Sequence, residues 1–327
     1  MVDLDHPEYY NSGKGILKNV MKNPEFTEKY KHIVDEEGDW VVRDDVFVRY
    51  QTKDELKVGG LSIGFTGYGG KHHIGPEFQL GHIVGTGFEE PVLLIKTAWG
   101  GKSIHKDFRP PSAGGTIGEY YQKMIAEYRQ GLIKIGNDFP HLANLNPVLS
   151  GFVWFQGWND MFDETARRDY KSNLIHLIND LREDVKQPDL PIVIGELGNG
   201  GLDANKNMLS IRSAQKAAAQ ELGSNAVFVP TSQFARPAQD SPNVGHGHHW
   251  FGNAESYFLI GDALGKALLK LNGKIHVIGD GYTDYEIKSA GIATHFFAFK
   301  ENIERKNICE LSDQILSSFD DYLSFID

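Results

Sequence analysis

The stretch Gly151-Phe-Val-Trp-Phe-Gln-Gly-Trp-Asn-Asp160 decides the fold. Its apolar residues predict a buried β-strand, and Gly157 predicts a turn that presents an amide and a carboxylate just beyond that strand. In an α/β protein the ligand site lies at the carboxyl ends of the strands. Asn159 is therefore predicted to donate a hydrogen bond to a developing oxyanion, and Asp160 to orient a catalytic partner. A purely structural turn is the alternative for this segment taken alone.

The same strand pattern recurs along the chain. Further β-branched, apolar runs occupy residues 91–98, 191–197 and 226–230, and a weaker one occupies residues 44–51. Helical patterns lie between them, with apolar stripes at residues 174–185 and 257–271 and an Ala-rich segment at residues 215–222. Strands that alternate with helices predict an α/β fold with a parallel sheet covered on both faces.

Composition limits the function classes. A length of 327 residues favours about two domains. The net charge of −11 argues against a nucleic-acid binder. The only cysteine, Cys309, excludes an internal disulfide and a Cys-rich metal site. No apolar run approaches the roughly 20 residues of a membrane helix, and the sequence as it begins shows no signal peptide.

Three histidines stand close together at residues 246, 248 and 249, in a glycine-flanked segment before the last apolar stripe. Histidine is the usual general base near neutral pH, so this segment predicts a catalytic base in a loop at the carboxyl edge of the sheet. A metal cluster and a solvated loop are the alternatives.

A pair of glycines, Gly100 and Gly101, follows the strand predicted at residues 91–98. Glycines at a strand end let backbone N–H groups point into a site, so this pair predicts a second oxyanion donor. A plain strand-to-loop turn is the equal alternative. Residues 75–81 (GPEFQLG) predict the start of a helix, where Glu77 favours the helix dipole and has a structural role.

Five blocks together resemble the SGNH-hydrolase superfamily, specifically sialate O-acetylesterase-like and carbohydrate esterase family 6 proteins. The resemblance covers residues 1–272. The matching blocks are GPEFQLG (75–81), LLIKTAWGGKS (93–103), FVWFQGWND (152–160), VIGELG (193–198) and HGHHWFGNAESYFLIGDALG (246–265). The resemblance implies a flavodoxin-like, three-layer parallel sheet, an acetylated carbohydrate substrate, no cofactor, and no nucleic-acid or membrane partner.

The resemblance also implies residue roles. Asn159 and the Gly100–Gly101 pair would hold the oxyanion, and His249, or else His248, would be the base. Asp160 is the guess for the third member of the triad, since Trp158 stands where relatives carry a glutamate. The expected substrate-binding residues are Gln156, Trp158, Trp99 and Trp250. Related proteins are often exported, which makes a periplasmic or secreted location an open expectation.

The superfamily's nucleophile sits in a Gly-Gln-Ser-Asn-like block at the end of its first strand, and no such block occurs here. Ser12 and Ser103 are the serines nearest to the family blocks, and both are better interpreted as turn or capping residues. We therefore expect an N-terminally truncated esterase that lacks its first central strand, unless the strand at residues 44–50 replaces it. A catalytically dead glycan-binding protein is the alternative function.

Residues 273–327 predict a separate β-α-β-α unit. Within it, VIGDGYTD (277–284) resembles the last motif of haloacid-dehalogenase-like phosphatases of the phosphoserine-phosphatase type. That resemblance implies a weak, vestigial Mg²⁺ site at Asp280 and Asp284, because most of the ligands that Mg²⁺ needs are absent. A Mg²⁺-dependent phosphatase fragment is thus a third candidate function, and the chain is interpreted as a chimera of two incomplete hydrolases.

Overall fold

The computed structural model describes residues 11–24, 27–68, 72–273, 276–289, 293, 295–301 and 303–326. The chain divides into two units, Met1–Leu268 and Leu269–Asp327. The division falls within a helix that spans Ala254–Asn272, close to the boundary at residue 272 that the sequence predicts.

The strands of the first unit follow the apolar runs of the sequence. They are β1 (Val46–Gln51), β2 (Leu56–Gly60), β3 (Val92–Lys96), β4 (Phe152–Trp154), β5 (Ile192–Gly195) and β6 (Ala226–Val229). Five of them coincide with predicted strands and are slightly shorter. The exception, β2, was not predicted, because it ends in two glycines and glycine is depleted in strands.

These six strands form two three-stranded sheets. The first has the order β2-β1-β3, in which β1 runs antiparallel to β2 and parallel to β3. The second has the order β4-β5-β6 and is entirely parallel. The expectation of a parallel sheet was wrong for β2, which is antiparallel, while β3 and β4 are edge strands of the two sheets.

The strand predicted at residues 44–50 occupies the centre of the first sheet as β1. It lies between β2 and β3, so it does not replace a central strand beside β4. Among the described residues, no strand pairs with the second edge of β3 or with the outer edge of β4. The apolar side chains of β3 are accordingly only half-buried, whereas those of β1 and β5 are buried.

Helices cover both faces of these sheets. They are α1 (Leu17–Val20), α2 (Thr27–Tyr30), α3 (Pro76–Gly87), α4 (Glu119–Ile133), α5 (Ile135–Asp138), α6 (Glu164–Val185), α7 (Lys206–Leu222) and α8 (Ala254–Asn272). The GPEFQLG block does open a helix, with Pro76 in the first turn of α3. The predicted stripes lie in α6, α7 and α8.

Glycines let α3 and α8 approach each other and their sheets. A β-carbon at Gly261 of α8 would lie 2.3 Å from the carbonyl oxygen of Pro76, and one at Gly81 of α3 would lie 2.5 Å from Leu61. On the opposite side of the first sheet, a β-carbon at Gly131 of α4 would come similarly close to Ile95 of β3. The largest core joins β4 and β5 to α4, α6 and α7, and it contains Tyr170 and Leu174.

The second unit consists of β7 (His276–Gly279), α9 (Tyr282–Ser289), β8 (His295–Phe299), α10 (Lys306–Cys309), β9 (Gln314–Leu316) and α11 (Phe319–Ile326). Its sheet has the order β7-β8-β9 and is parallel. The sequence predicted two of these strands and a last helix that begins at about residue 311. The structure has the strand β9 in that region instead, and its last helix begins later, at Phe319. Phe296, Ala298 and Ile308 form its core.

None of the helices formed by the described residues has the length and apolar character needed to cross a membrane.

Candidate active site

The loops that follow β3 and β4 are tied together at the carboxyl ends of their strands. Gln156 donates from Nε2 to the carbonyl oxygen of Lys102 at 3.0 Å and to Asp160 Oδ2 at 2.7 Å. Asp160 is completely buried and accepts hydrogen bonds from the backbone amides of Ile104 and His105, each at 3.0 Å. The two loops, which belong to different sheets, are therefore held in one arrangement.

These bonds change the roles expected for both residues. The carboxylate of Asp160 faces two backbone amides and Gln156, and among the described residues no hydrogen bond joins it to a histidine side chain. Burial raises the pKa of Asp160, while these hydrogen bonds partly oppose the rise. Gln156, expected to bind substrate, uses both amide N–H donors within the protein. The geometry thus favours positioning roles for Asp160 and Gln156.

The two predicted oxyanion donors lie side by side. Gly100 and Gly101 are exposed, and Gly101 has φ +72°, which an L side chain rarely adopts. A β-carbon at Gly101 would lie 3.9 Å from Asn159 Nδ2. Asn159 begins a short 3₁₀ helix, Asn159–Phe162, directly after the turn at Gly157. The loops that carry the two predicted oxyanion donors therefore meet at this point, and the donor roles stay a prediction.

The turn before Asn159 requires glycine. Gly157 has φ +152°, and a β-carbon there would lie 2.9 Å from Ile211 Cγ2. The hydroxyl of Tyr170 in α6 donates to the carbonyl oxygen of Gln156 at 2.9 Å, and Gln215 in α7 donates to the same oxygen at 2.8 Å. The helices thus fix the end of β4, and with it the position of Asn159.

The three histidines form one cluster beside this turn. The ring of His248 lies 4.4 Å from that of His249, 5.1 Å from that of His246 and 5.9 Å from that of Trp158. His246 and His248 are exposed, and His249 is half-buried. Because Trp158 directly precedes Asn159, His248 is the histidine that the described contacts bring nearest to the oxyanion site.

His249 is held by other groups. Its Nε2 lies 2.7 Å from the hydroxyl of Tyr68, and its carbonyl oxygen accepts a hydrogen bond from Tyr257 at 3.0 Å. Burial, together with the nearby His248, lowers the pKa of His249 to about 4. Burial and His246 lower the pKa of His248 as well, so the contacts rather than the pKa favour His248 over His249, whose Nε2 is bound to Tyr68.

Sequence reasoning missed Asn243. Its side-chain nitrogen lies 3.0 Å from His246 Nδ1, which leaves Nε2 of that ring without a described protein bond. Because an amide N–H can only donate, Nδ1 accepts and the neutral ring carries its proton on Nε2, so this contact favours a hydrogen-bond donor rather than a base at His246 Nε2. The signal in the sequence is the spacing of three residues between Asn243 and His246 in a glycine-rich turn.

A family model described as "carbohydrate esterase, sialic acid-specific acetylesterase" matches residues 13–270. The chain belongs to this family. The matched range includes both predicted oxyanion donors and all three clustered histidines. The match confirms the coarser resemblance drawn from the five sequence blocks, and residues 13–270 are called the esterase domain below.

Two solved structures are similar to the chain. One is a protein from Arabidopsis thaliana, with 18% identity and a TM-score of 0.48, over 72% of this chain and 89% of that one. The other is a carbohydrate acetylesterase from Xanthomonas citri, with 16% identity and a TM-score of 0.44, over 68% of this chain and 50% of that one. Among curated proteins, none matches the chain.

The predicted chimera and truncation receive no support from these comparisons. The esterase match runs to residue 270, and none of these findings supports the phosphatase resemblance of residues 273–327. In the second unit, Asp284 accepts a hydrogen bond from the amide of Gly281 at 3.0 Å, and Asp280 lies 3.8 Å from Arg305 Nη2. No group of three metal-ligating side chains is found among the described residues.

The tryptophans of the esterase domain differ in availability. Trp250 is 5% exposed and stacks on Phe155, so most of its ring is covered by the protein. Its backbone has φ +53°, and its role in substrate binding stays a prediction. Trp158 is half-buried beside Phe162, which is 66% exposed, so these two rings form an open aromatic surface next to Asn159.

Trp99, the remaining predicted substrate contact, is covered. Its indole nitrogen donates to the carbonyl oxygen of Gln51 at 3.2 Å, and its ring centroid lies 4.6 Å from Lys123 Nζ and 5.3 Å from the ring of Tyr120. A sugar therefore cannot stack on the ring face that Lys123 occupies. Trp154 is in the core, as predicted, and donates to Tyr170.

Neither candidate serine has the geometry of a nucleophile. Ser103 Oγ accepts from the amide of Lys106 at 3.2 Å and donates to Asp107, which confirms its predicted capping role. Ser12 has φ +56° in a turn whose Asn11 side chain donates to the carbonyl oxygen of Ser241 at 2.9 Å. Neither hydroxyl forms a hydrogen bond with a clustered histidine in the described part of the chain.

Proposed function

We propose that the esterase domain belongs to a serine esterase that removes acetyl groups from the hydroxyls of a sugar or polysaccharide. The observation that carries this proposal is the meeting of Gly101 and Asn159, from two different sheets, beside a histidine cluster. The family match supports a carbohydrate ester as the substrate. The acetyl group, the serine mechanism and the residue roles are our own assignment.

In the proposed reaction, a serine oxygen attacks the acetyl carbonyl carbon while a histidine of the cluster accepts the hydroxyl proton. The carbonyl oxygen becomes an oxyanion that the Asn159 amide and the Gly100–Gly101 backbone stabilise. Collapse of the tetrahedral intermediate releases the sugar hydroxyl, which takes the proton back from histidine. Water then releases acetate by the same steps. Histidine and amides supply all of this chemistry, so the proposal needs no metal or organic cofactor.

The choice of base is proposed from the contacts within the cluster. His248 is our first candidate, and His249, which the sequence favoured, is then a neighbour that fixes His248 through ring packing. In a chain extended at its N-terminus with a Gly-Gln-Ser-Asn block, loss of acetate release in the His248→Ala variant, with partial activity in the His249→Ala variant, would support this order. The reverse pattern would return the role to His249, and loss only in the His246→Ala variant would assign it to His246.

The central experiment concerns the nucleophile, because the sequence contains no Gly-Gln-Ser-Asn block. We would compare acetate release from acetylated sugars by the chain as it stands and by a chain extended at its N-terminus with a strand ending in that block. We expect hydrolysis only from the extended chain, and none from its counterpart with alanine in place of the added serine. If the extended chain folds and releases no acetate, the esterase proposal fails.

A glycan-binding protein without turnover is the second candidate. It is favoured by the capping role of Ser103 and by the open aromatic surface of Trp158 and Phe162, since aromatic rings stack on sugar faces. This candidate predicts saturable oligosaccharide binding by the chain as it stands, measured by calorimetry, with no acetate released. The phosphatase candidate is carried no further, because Asp280 and Asp284 contact Arg305 and Gly281 instead of forming a ligand set.

A further inference from the structure

Two side chains of α7 hold the loop that follows β5, residues 196–205, which we call the β5 loop. Arg212 and Gln215 lie about one turn apart on this helix, and they are 8% and 0% exposed. Gln215 Oε1 accepts a hydrogen bond from the amide of Leu197 at 2.8 Å. Arg212 donates hydrogen bonds of 2.7–2.9 Å to three carbonyl oxygens of the same loop, those of Leu197, Asn199 and Gly201.

The buried charge of Arg212 makes this anchor specific. The carboxylate of Glu196 lies 3.6 Å from Arg212 Nε, which is longer than a hydrogen bond. The three carbonyl oxygens therefore provide the acceptors for the guanidinium group, and burial lowers the pKa of Arg212. Because a buried charge without partners is strongly destabilising, Arg212 disfavours any other arrangement of the β5 loop.

The β5 loop in turn holds the segment that carries the three histidines, residues 243–253, which we call the histidine loop. Asn199 is 4% exposed, and its Nδ2 donates to the carbonyl oxygen of Gly247 at 3.0 Å. Gly247 stands between two of the clustered histidines. The two loops also touch nearby, since a β-carbon at Gly198 would lie 2.5 Å from Trp250 Cη2.

The turn that carries Asn159 is held from the same helix. Gln215 Nε2 donates to the carbonyl oxygen of Gln156, just before that turn, at 2.8 Å. One face of α7 therefore fixes this turn directly and fixes the histidine loop through Asn199. Two separate loops are thus referred to one helix, which is a more precise support for a site than loops alone.

We propose that Asn199 is a positioning residue, which holds His248 at the distance from Asn159 that the proposed esterase reaction requires. Its side chain acts through the backbone of Gly247, and Arg212 holds its own backbone in place. This inference rests on the proposed function for the reaction, but the position of His248 can be measured without any hydrolysis.

The first measurement is the nuclear Overhauser effect between the rings of His248 and Trp158, whose centroids lie 5.9 Å apart. It uses the whole 327-residue chain, labelled in its histidines and tryptophans. Asn199→Leu keeps a side chain of similar size but removes the donor, so the ring signal should fall several-fold as the histidine loop moves. The control Asn205→Ala removes the cap of α7, which accepts from the amides of residues 207 and 208, and should leave the ring signal unchanged.

A second variant guards against misfolding. If the Asn199→Leu chain does not fold, the Asn199→Ser chain, whose shorter side chain does not reach Gly247, should show the same fall. An unchanged ring signal in the Asn199 variant would overturn the positioning role. An equal fall in the Asn205→Ala chain, or no ring signal in the unaltered chain, would overturn it as well.

Kinetics of the extended chain separate positioning from a merely structural role. Asn199→Leu should lower kcat about ten- to a hundredfold with little change in KM, because a displaced base weakens the transition state and not substrate binding. Asn205→Ala should change neither constant. Acetate release that Asn199→Leu does not alter would overturn the positioning role and keep the esterase. An unaltered extended chain that folds and releases no acetate would remove the esterase, while a loss of ring signal would still show that Asn199 holds the histidine loop.

Discussion

Acid should destabilise this protein through one histidine, His82 in α3. Its side chain is 2% exposed, and neither ring nitrogen has a hydrogen-bond partner among the residues that the structure describes. The rings around it are those of Phe78, at 5.1 Å, and His32, at 4.9 Å. Burial, reinforced by the charges of His32 and Arg43, lowers the pKa of His82 from 6.5 to about 3.

The sign and size of the effect follow from proton linkage. Below pH 6.5 the unfolded chain binds a proton at this residue that the folded chain does not, so the free energy of unfolding falls as the pH falls. The loss is about 2 kcal/mol at pH 5, because each pKa unit corresponds to about 1.4 kcal/mol. It approaches about 5 kcal/mol near pH 3, where the folded protein also takes up the proton.

The measurement is urea unfolding at pH 7 and pH 5, followed by tryptophan fluorescence. All five tryptophans lie in the first unit, so the signal reports on the part that contains His82. A His82→Leu chain should lose about 2 kcal/mol less than the unaltered chain between these pH values. His141→Leu, at an exposed histidine, should leave the difference unchanged. If His82→Leu keeps the full pH dependence, the reasoning is refuted.

Three comparisons of substituted chains test the site. Asp160→Asn places an amide against the backbone N–H groups of residues 104 and 105 and should lower the free energy of unfolding, measured in urea, by about 1–3 kcal/mol. An unchanged free energy of unfolding would show that the carboxylate does not join the two loops. Gly101→Ala and its control Gly114→Ala, at φ +72° and +70°, should each lower the free energy of unfolding by about 1–2 kcal/mol. Only Gly101→Ala should reduce acetate release by the extended chain. Equal rates for the two variants would remove Gly101 from the site. Trp250→Ala removes a buried side chain and should lower the free energy of unfolding by about 3–5 kcal/mol. Trp158→Ala should mainly weaken oligosaccharide binding, measured by calorimetry. The opposite pattern would exchange the roles of the two tryptophans.

Local pattern was enough to find the elements that position the site. The apolar run before Gly157 predicted β4, and the run before Gly100 predicted β3, so Asn159 and the Gly100–Gly101 pair lie in the loops that follow these strands. Proline and glutamate at the start of residues 75–81 predicted α3 for the same local reason. Periodicity and capping are properties of neighbouring residues, so one sequence can reveal them.

Properties that depend on distant contacts were not predictable. The partners of Asp160 are amides more than 50 residues away, so the sequence could not show that its carboxylate joins two loops. Trp250 lies in a family block, yet its left-handed backbone turns the ring into the core. Lys123 lies on a helix that no motif marks, and only the fold places it on Trp99.

The split of the first unit into two sheets gives the loop contacts their importance. Gly101 follows a strand of one sheet and Asn159 follows a strand of the other, and among the described residues no strand-to-strand hydrogen bonds join β3 to β4. In one continuous sheet, hydrogen bonds between neighbouring strands would set the distance between the two predicted oxyanion donors. Here that distance depends instead on the hydrogen bonds made by Gln156 and Asp160. A donor displaced by about 1 Å can cost on the order of a hundredfold in rate, so under the proposed function Gln156 and Asp160 act as positioning residues that need not touch the substrate.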